Sequence, residues 1–114
     1  MKFKYSVELW EKLLQEKYLE REKTRLRVLE STIKILKEYF KDKKLGSLYL
    51  TGSILKEGFF YEFSDIDIAV EEFKEDYFRT VCELDEILPY KVDLIEVEKC
   101  PFREKLLQDS IKIL

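Results

Sequence analysis

Thr51-Gly-Ser-Ile-Leu-Lys-Glu-Gly-Phe-Phe-Tyr-Glu-Phe-Ser-Asp-Ile-Asp-Ile-Ala-Val70 is the stretch on which the fold turns. A short apolar run before it, Leu48-Tyr-Leu50, predicts a strand that delivers the chain into a tight turn at Gly52-Ser53. The far end, Ile66-Asp-Ile-Ala-Val70, predicts a second strand with Asp65 and Asp67 at its start. Successive strand side chains point to opposite faces, so Asp65, Asp67 and Ala69 share one face and Ile66, Ile68 and Val70 the other. Two carboxylates on an exposed face, backed by three core aliphatics, suit a hard divalent cation. Mg²⁺ is the natural one: it takes one or two carboxylates, keeps several waters and completes its shell with phosphate oxygens. Backbone N–H groups at a turn leading into a helix attract phosphate, and the Ser53 hydroxyl adds a donor. The two halves together read as a metal-dependent nucleotide site.

Before this stretch, residues 1–44 contain neither Gly nor Pro and predict helix almost throughout. Ser6 is the expected N-cap, with Glu8 and Glu11 near the positive end of the helix dipole. Apolar residues recur at Phe3, Val7, Trp10, Leu14 and Tyr18, then at Leu26, Leu29, Ile33, Leu36 and Phe40. Glu20-Arg-Glu-Lys-Thr-Arg25 interrupts the stripe, so either one long helix changes partner there or two helices meet at a kink. Lys41-Asp-Lys-Lys-Leu-Gly46 closes the helix, with Gly46 as the expected C′ residue.

Downstream, Ser47 to Thr51 reads as the first strand, Ile54 to Gly58 as a short helix and Asp65 to Glu71 as the second strand. Tyr77 to Leu88 reads as a helix that buries Tyr77, Val81, Leu84 and Leu88. Pro89 ends it, Tyr90 to Val97 is a third strand, and Pro101 opens a last helix from Phe102 to about Ser110, before the tail Ile111-Lys-Ile-Leu114. This order predicts an α/β (α+β) fold in one domain: a small mixed β-sheet with helices packed on it and a long N-terminal helical segment. Residues 1–22 form a helical extension and 23–114 the core.

The composition, 46% hydrophobic and 39% charged over 114 residues, is that of a single globular domain. No apolar run reaches membrane-span length, and Met1-Lys-Phe-Lys-Tyr5 lacks the apolar core of a signal peptide, which makes a cytoplasmic location the expectation. With no histidine and no Cys-x-x-Cys, zinc sites and histidine-based nucleophilic chemistry are excluded, leaving Cys82 and Cys100 as reduced structural thiols. Residues 1–44 hold 13 basic and 8 acidic side chains; residues 45–114 hold 8 and 16. The half containing the carboxylates is thus strongly acidic, which argues against nucleic acid as a partner.

Three separated pieces, in order, resemble one family: Gly52-Ser53, then Ser64-Asp65-Ile66-Asp67, then a strand with Asp93 in Lys91-Val-Asp-Leu-Ile-Glu-Val97. They are similar to the minimal nucleotidyltransferases (MNT) of the DNA polymerase beta superfamily, over roughly residues 30 to 110. Two departures stand out. Eleven residues, Ile54 to Ser64, separate the Ser from the first Asp where the family usually has ten. Phe59-Phe60-Tyr61 also stands where members often carry Arg, Pro and Asp.

The resemblance implies that Asp65, Asp67 and Asp93 are catalytic and hold Mg²⁺, while Gly52, Ser53, Lys56 and Ser64 contact a nucleoside triphosphate such as ATP. It further implies transfer of a nucleoside monophosphate to a hydroxyl of a partner protein, as in HEPN–MNT toxin–antitoxin pairs. The alternative is a binding module of the same fold that neutralises its partner by contact alone. Plain structural roles compete at each position. Asp93 sits in Val92-Asp-Leu94, a buried-looking strand where an unpaired carboxylate would be costly, and could form a salt bridge with Lys91. Ser53 and Ser64 could cap backbone, Phe59, Phe60, Tyr61 and Phe63 could be packing residues, and Glu71, Glu72, Glu75 and Asp76 could be a solvated helix start. The stripe Phe3 to Tyr18 is expected either to pack on a second copy or partner, or to fold back over the core of its own chain.

Overall fold

One 39-residue helix, α1 (Lys2–Phe40), underlies the molecule, and the remaining elements gather on its C-terminal half. The computed structural model describes the backbone of residues 2–114 and the side chains of residues 7–114. After α1 come β1 (Ser47–Thr51), a 3₁₀ turn (Ser53–Leu55), β2 (Ile66–Glu71), α2 (Tyr77–Ile87) and β3 (Val92–Glu96). A second 3₁₀ turn (Val97–Lys99), α3 (Arg103–Gln108) and β4 (Ile111–Lys112) complete the chain. The sheet order is β3-β2-β1-β4; β2 and β3 run parallel, while β1 is antiparallel to both of its neighbours. The fold is therefore the mixed α/β arrangement expected. No described helix is long and apolar enough to cross a membrane.

Alternation along the strands divides the core. Leu48, Leu50, Ile66, Ile68, Val70, Val92 and Leu94 pack with Val28, Leu36 and Phe40 of α1 and Leu84 of α2. On the opposite face, Ala69 packs with Val97 and Leu106, so α3 and the second 3₁₀ turn cover that end of the sheet. Two residues further back along β2 and β3, the same face carries Asp67 and Asp93.

Several local expectations are corrected. α1 is one continuous helix beginning at Lys2, so Ser6 lies inside it and does not cap it. It stops at Phe40, where the Lys43 N–H turns back to the Phe40 carbonyl, so Gly46 is not its C′ residue. Gly46 instead donates to the Glu71 carbonyl at 2.8 Å, and a Cβ there would lie 3.0 Å from the Glu72 carboxylate and 3.2 Å from the Glu71 carbonyl oxygen. The short helix after β1 is the 3₁₀ turn alone, and Gly58 has φ +80 in the turn beyond it. The third strand stops at Glu96, α3 starts at Arg103, and the tail Ile111-Lys112 pairs with β1 at the sheet edge. Asp76 is a true N-cap, accepting from the Arg79 N–H at 3.0 Å. Cys82 is exposed and Cys100 half-buried, both free.

The apolar seam of α1 holds at Leu36 and Phe40, which are buried as expected, and shifts by one residue before them. Arg25, Val28 and Thr32 are the buried positions there, Leu29 and Ile33 pack partly against the core, and Leu26 is 54% exposed. Arg25 earns its burial through hydrogen bonds: Nη1 donates to the Ile54 carbonyl at 3.0 Å, and Nη2 pairs with Glu22 at 3.0 Å. Glu22 in turn accepts from the Gly58 N–H at 3.0 Å. The polar segment that interrupts the stripe is thus not a kink: within one continuous helix it clamps the turn that follows β1, between a side buried under the sheet and a side exposed beyond it. Leu26 separates the corrected seam from the expected one, and Leu36, common to both, is its control. Leu36→Ala should cost on the order of 2–5 kcal/mol in urea unfolding, because it leaves a cavity under the sheet. Leu26→Ala should change stability by no more than about 0.5 kcal/mol.

Candidate active site

The β1–β2 ladder sets Thr51 opposite Asp67, so the next residue, Gly52, lands against the Asp67 carboxylate. Gly52 has φ +85, and a Cβ built on it would fall 2.2 Å from Asp67 Oδ2. Glycine is required there twice over, by backbone conformation and by space. Thr51 is buried, and its hydroxyl donates to the Asp109 carbonyl at 3.5 Å, joining the end of α3 to this end of β1. Across the parallel β2–β3 pair, Asp67 stands in register with Asp93. Asp65 lies one residue before β2 rather than in it, and is exposed. Asp93 is exposed too, contrary to the buried position its apolar neighbours suggested.

Burial, then the charges of Asp93 and Asp65, push Asp67 up to about 6. The ion pairs among the described residues include none of these three carboxylates, so the pairing of Asp93 with Lys91 does not form. A cluster of hard oxygen donors whose mutual repulsion is uncompensated fits a divalent cation. No three acidic side chains among the described residues close into a ready-made ligand cage. Mg²⁺ does not need one, because water and phosphate oxygens fill most of its shell. The donor set therefore fits the ion.

The other anticipated residues separate. Ser53 begins the 3₁₀ turn directly after Gly52, at the same end of the sheet as the carboxylates. Lys56 caps that turn with its backbone N–H bonded to the Ser53 carbonyl, and its side chain is exposed. Ser64 accepts from the Tyr61 N–H at 2.8 Å, which shapes the loop entering β2. Of the four loop aromatics only Phe60 packs into the core; Phe59, Tyr61 and Phe63 are exposed. The Tyr61 and Phe63 rings stack 5.4 Å apart, and the Arg21 guanidinium sits 4.7 Å from the centre of the Tyr61 ring. Sequence reasoning missed Arg25 and Glu22, which hold the turn from behind. An Arg and a Glu three apart within an apolar stripe were the available signal.

Concavity does not mark this site. A cavity of about 390 Å³ lies between α1 and the loop, lined by Arg21, Thr24, Phe60, Tyr61 and Tyr90 among others. Another, of about 590 Å³, flanks β3 beside Tyr77 and Leu94. The carboxylates form an open shelf, and their charge and register identify it more directly than any hollow.

A family model described as "Polymerase beta, Nucleotidyltransferase" matches residues 30–114. No curated protein matches the chain. Among solved structures, one titled "Crystal structure of the toxin-antitoxin with AMP-PNP" is similar in fold, with a TM-score of 0.60 and 23% sequence identity, covering 72% of this chain and 72% of that one.

Two measurements check the geometry of the shelf. Gly52→Ala should lose about 1–3 kcal/mol from backbone strain alone, with a further loss from the clash with Asp67. A raised carboxylate binds protons more tightly folded than unfolded, so stability falls as pH climbs from the ordinary aspartate value of 3.8 through about 6. In metal-free buffer Asp67→Asn should therefore be more stable than the parent above pH 6. The gain should be about 1 kcal/mol once solvent screening of this half-exposed group is allowed for, and it should vanish near pH 4.

Proposed function

The chain belongs to the polymerase beta nucleotidyltransferase family, and from that premise we propose that it transfers AMP from ATP, with Mg²⁺, to a hydroxyl of a partner protein. The partner is proposed to be a HEPN-type toxin, with this chain as the antitoxin, in the cytoplasm. One observation carries the reading. Gly52 at the mouth of the turn, Asp67 beside it and Asp93 across the parallel ladder meet at one end of the sheet, and no ion pair among the described residues engages either carboxylate. The solved toxin–antitoxin structure of similar fold supports the choice of partner class.

In this mechanism the backbone N–H groups and hydroxyl at Gly52-Ser53 hold the terminal phosphates, with Lys56 and Ser64 at the margin. The φ of Gly52 lets the backbone approach without a side chain in the way. Asp65, Asp67 and Asp93 would hold Mg²⁺, whose charge would stabilise the oxygens that enter and leave phosphorus. Asp93, the more open of the ladder pair, accepts the proton of the attacking hydroxyl. That hydroxyl attacks the α-phosphorus, the bond to the β-phosphate oxygen breaks, and pyrophosphate leaves.

The two roles separate by mutation. Changing Asp65 and Asp67 together to Asn should abolish Mg²⁺-dependent ATP binding in calorimetry while the thermal melt stays cooperative. Asp93→Asn should bind ATP nearly as the parent does yet lose about 10²-fold or more in transfer of labelled AMP to the co-purified toxin. Unchanged ATP affinity in the double variant would sink the metal assignment. ATP binding by the parent without any transfer would favour neutralisation by contact.

A further inference from the structure

The cavity of about 390 Å³ between α1 and the loop lies at the carboxylate end of the sheet, on its α1 side. Tyr61 and Glu62 of its lining stand just before Asp65, and Tyr90 stands just before β3 and Asp93. Small-molecule pockets span about 300–1,000 Å³, so the volume suffices for a compact ligand. One wall, Lys17 to Thr24 of α1, precedes the residues 30–114 that the family model matches. The other carries Phe60 and Tyr61, where this chain departs from the family pattern. The cavity is thus built from what this chain adds to that pattern. Further toward its start α1 runs clear of the domain: Val7, Trp10 and Leu14 are exposed, with Phe3 outside the described side chains, so that stripe does not fold back over its own core.

Arg21 is the anomaly in the lining. Its Nε is the one buried side-chain nitrogen or oxygen among the described residues without a hydrogen-bond partner. Its guanidinium lies 4.7 Å from the centre of the Tyr61 ring, and Tyr61 stacks in turn on Phe63. A ring face attracts the charge but does not replace the hydrogen bonds lost on burial. Arg25, one helical turn on, shows the contrast, being satisfied by Glu22 and the Ile54 carbonyl. None of the ion pairs among the described residues includes Arg21, Lys17, Glu20 or Glu62. The cavity therefore presents two cations and two carboxylates that have no fixed partners.

This lining discriminates between ligands. Phosphate would meet Arg21 and Lys17, but also the repulsion of Glu20 and Glu62. An aliphatic ligand would leave Arg21 as unpaired as before. Guanidinium and ammonium groups only donate, and ionised carboxylates only accept, so the fitting ligand has an edge that does both. Its faces must suit Phe60, Tyr61 and Tyr90, of which Phe60 and Tyr90 meet with centroids 4.9 Å apart. A nucleobase with an exocyclic amine has those faces and that edge. Stacking on aromatic rings with hydrogen bonds to the base edge is the usual way a single base is held.

We propose that this cavity is a nucleobase site, with the base against Tyr61 and Tyr90, its ring acceptors toward Arg21 and its amine toward Glu20 and Glu62. The base is that of the triphosphate itself or of a second nucleotide, and the chemistry of the site is the same for both. The inference does not depend on the catalytic reading.

Calorimetry on the full chain in metal-free buffer tests it, with adenosine as the probe. Adenosine should bind one to one, and inosine, which lacks the amine, should bind about tenfold or more weakly. Arg21→Met keeps an apolar stem over Tyr61 and removes the donors; Glu20→Ala with Glu62→Ala removes two exposed acceptors. Each should weaken adenosine by about tenfold or more while the thermal melt stays cooperative. The Asp65 and Asp67 double variant should bind adenosine as the parent does, which separates this site from the metal assignment. Adding ATP with Mg²⁺ to the adenosine-loaded chain then identifies the source. Displacement of adenosine assigns the cavity to the base of the triphosphate, and binding of both assigns it to a second nucleotide. The proposal is overturned by no adenosine binding at millimolar concentration, by equal affinity for inosine, or by unchanged affinity in the Arg21 and glutamate variants.

Discussion

No side chain fits between the α-carbon of residue 52 and the carboxylate of residue 67, and the working end of the sheet follows from that exclusion. The antiparallel ladder of β1 and β2 fixes the approach, because Thr51 must face Asp67 once Leu48 and Leu50 are committed to the core. The parallel ladder then brings Asp93 alongside. α3 covers the Ala69 end of this face and stops short of the acidic end. Hydrophobic burial thus positions the acidic groups without touching them, and their repulsion is left standing.

Behind the shelf, the polar contacts of α1 do something apolar packing could not. A leucine at position 25 would bury as much surface, but it could not tell the Ile54 carbonyl where to sit. Arg25 and Glu22 reach a backbone acceptor and a backbone donor on opposite sides of the turn, at Ile54 and Gly58, and pair with each other. Desolvating such a pair is costly, so its contribution is better understood as fixing one arrangement of the turn than as net stability.

Much of this was legible in the sequence, for identifiable reasons. Ser47–Thr51 and Tyr77–Ile87 fall where period-two and period-3.6 patterns place them, because both elements are half-buried and their patterns record the burial. The gathering of Gly52, Asp67 and Asp93 at one end of the sheet was legible too, since glycine and paired acids are poor choices for a plain strand end. The failures share a cause: information that resides in distant partners. Leu26 continues an apolar spacing as well as Arg25 interrupts it, and only the carbonyl of Ile54, 29 residues away, decides between them. The tail strand is two residues long and exists because β1 offers a free edge. Asp93 looked buried because its neighbours are, yet it alternates outward.

The eleven residues between Ser53 and Asp65 set this chain apart from the usual ten, and the ladder explains why the difference is tolerable. Gly52 and Asp67 meet through strand pairing, not through the segment that connects them, so the connection can lengthen without moving either. Its exposed Phe59, Tyr61 and Phe63 are likewise uncoupled from the core. The loop is therefore pinned at Ile54, Gly58 and Phe60 and open elsewhere, so its exposed aromatic side chains could be exchanged one at a time without rebuilding the shelf beneath them.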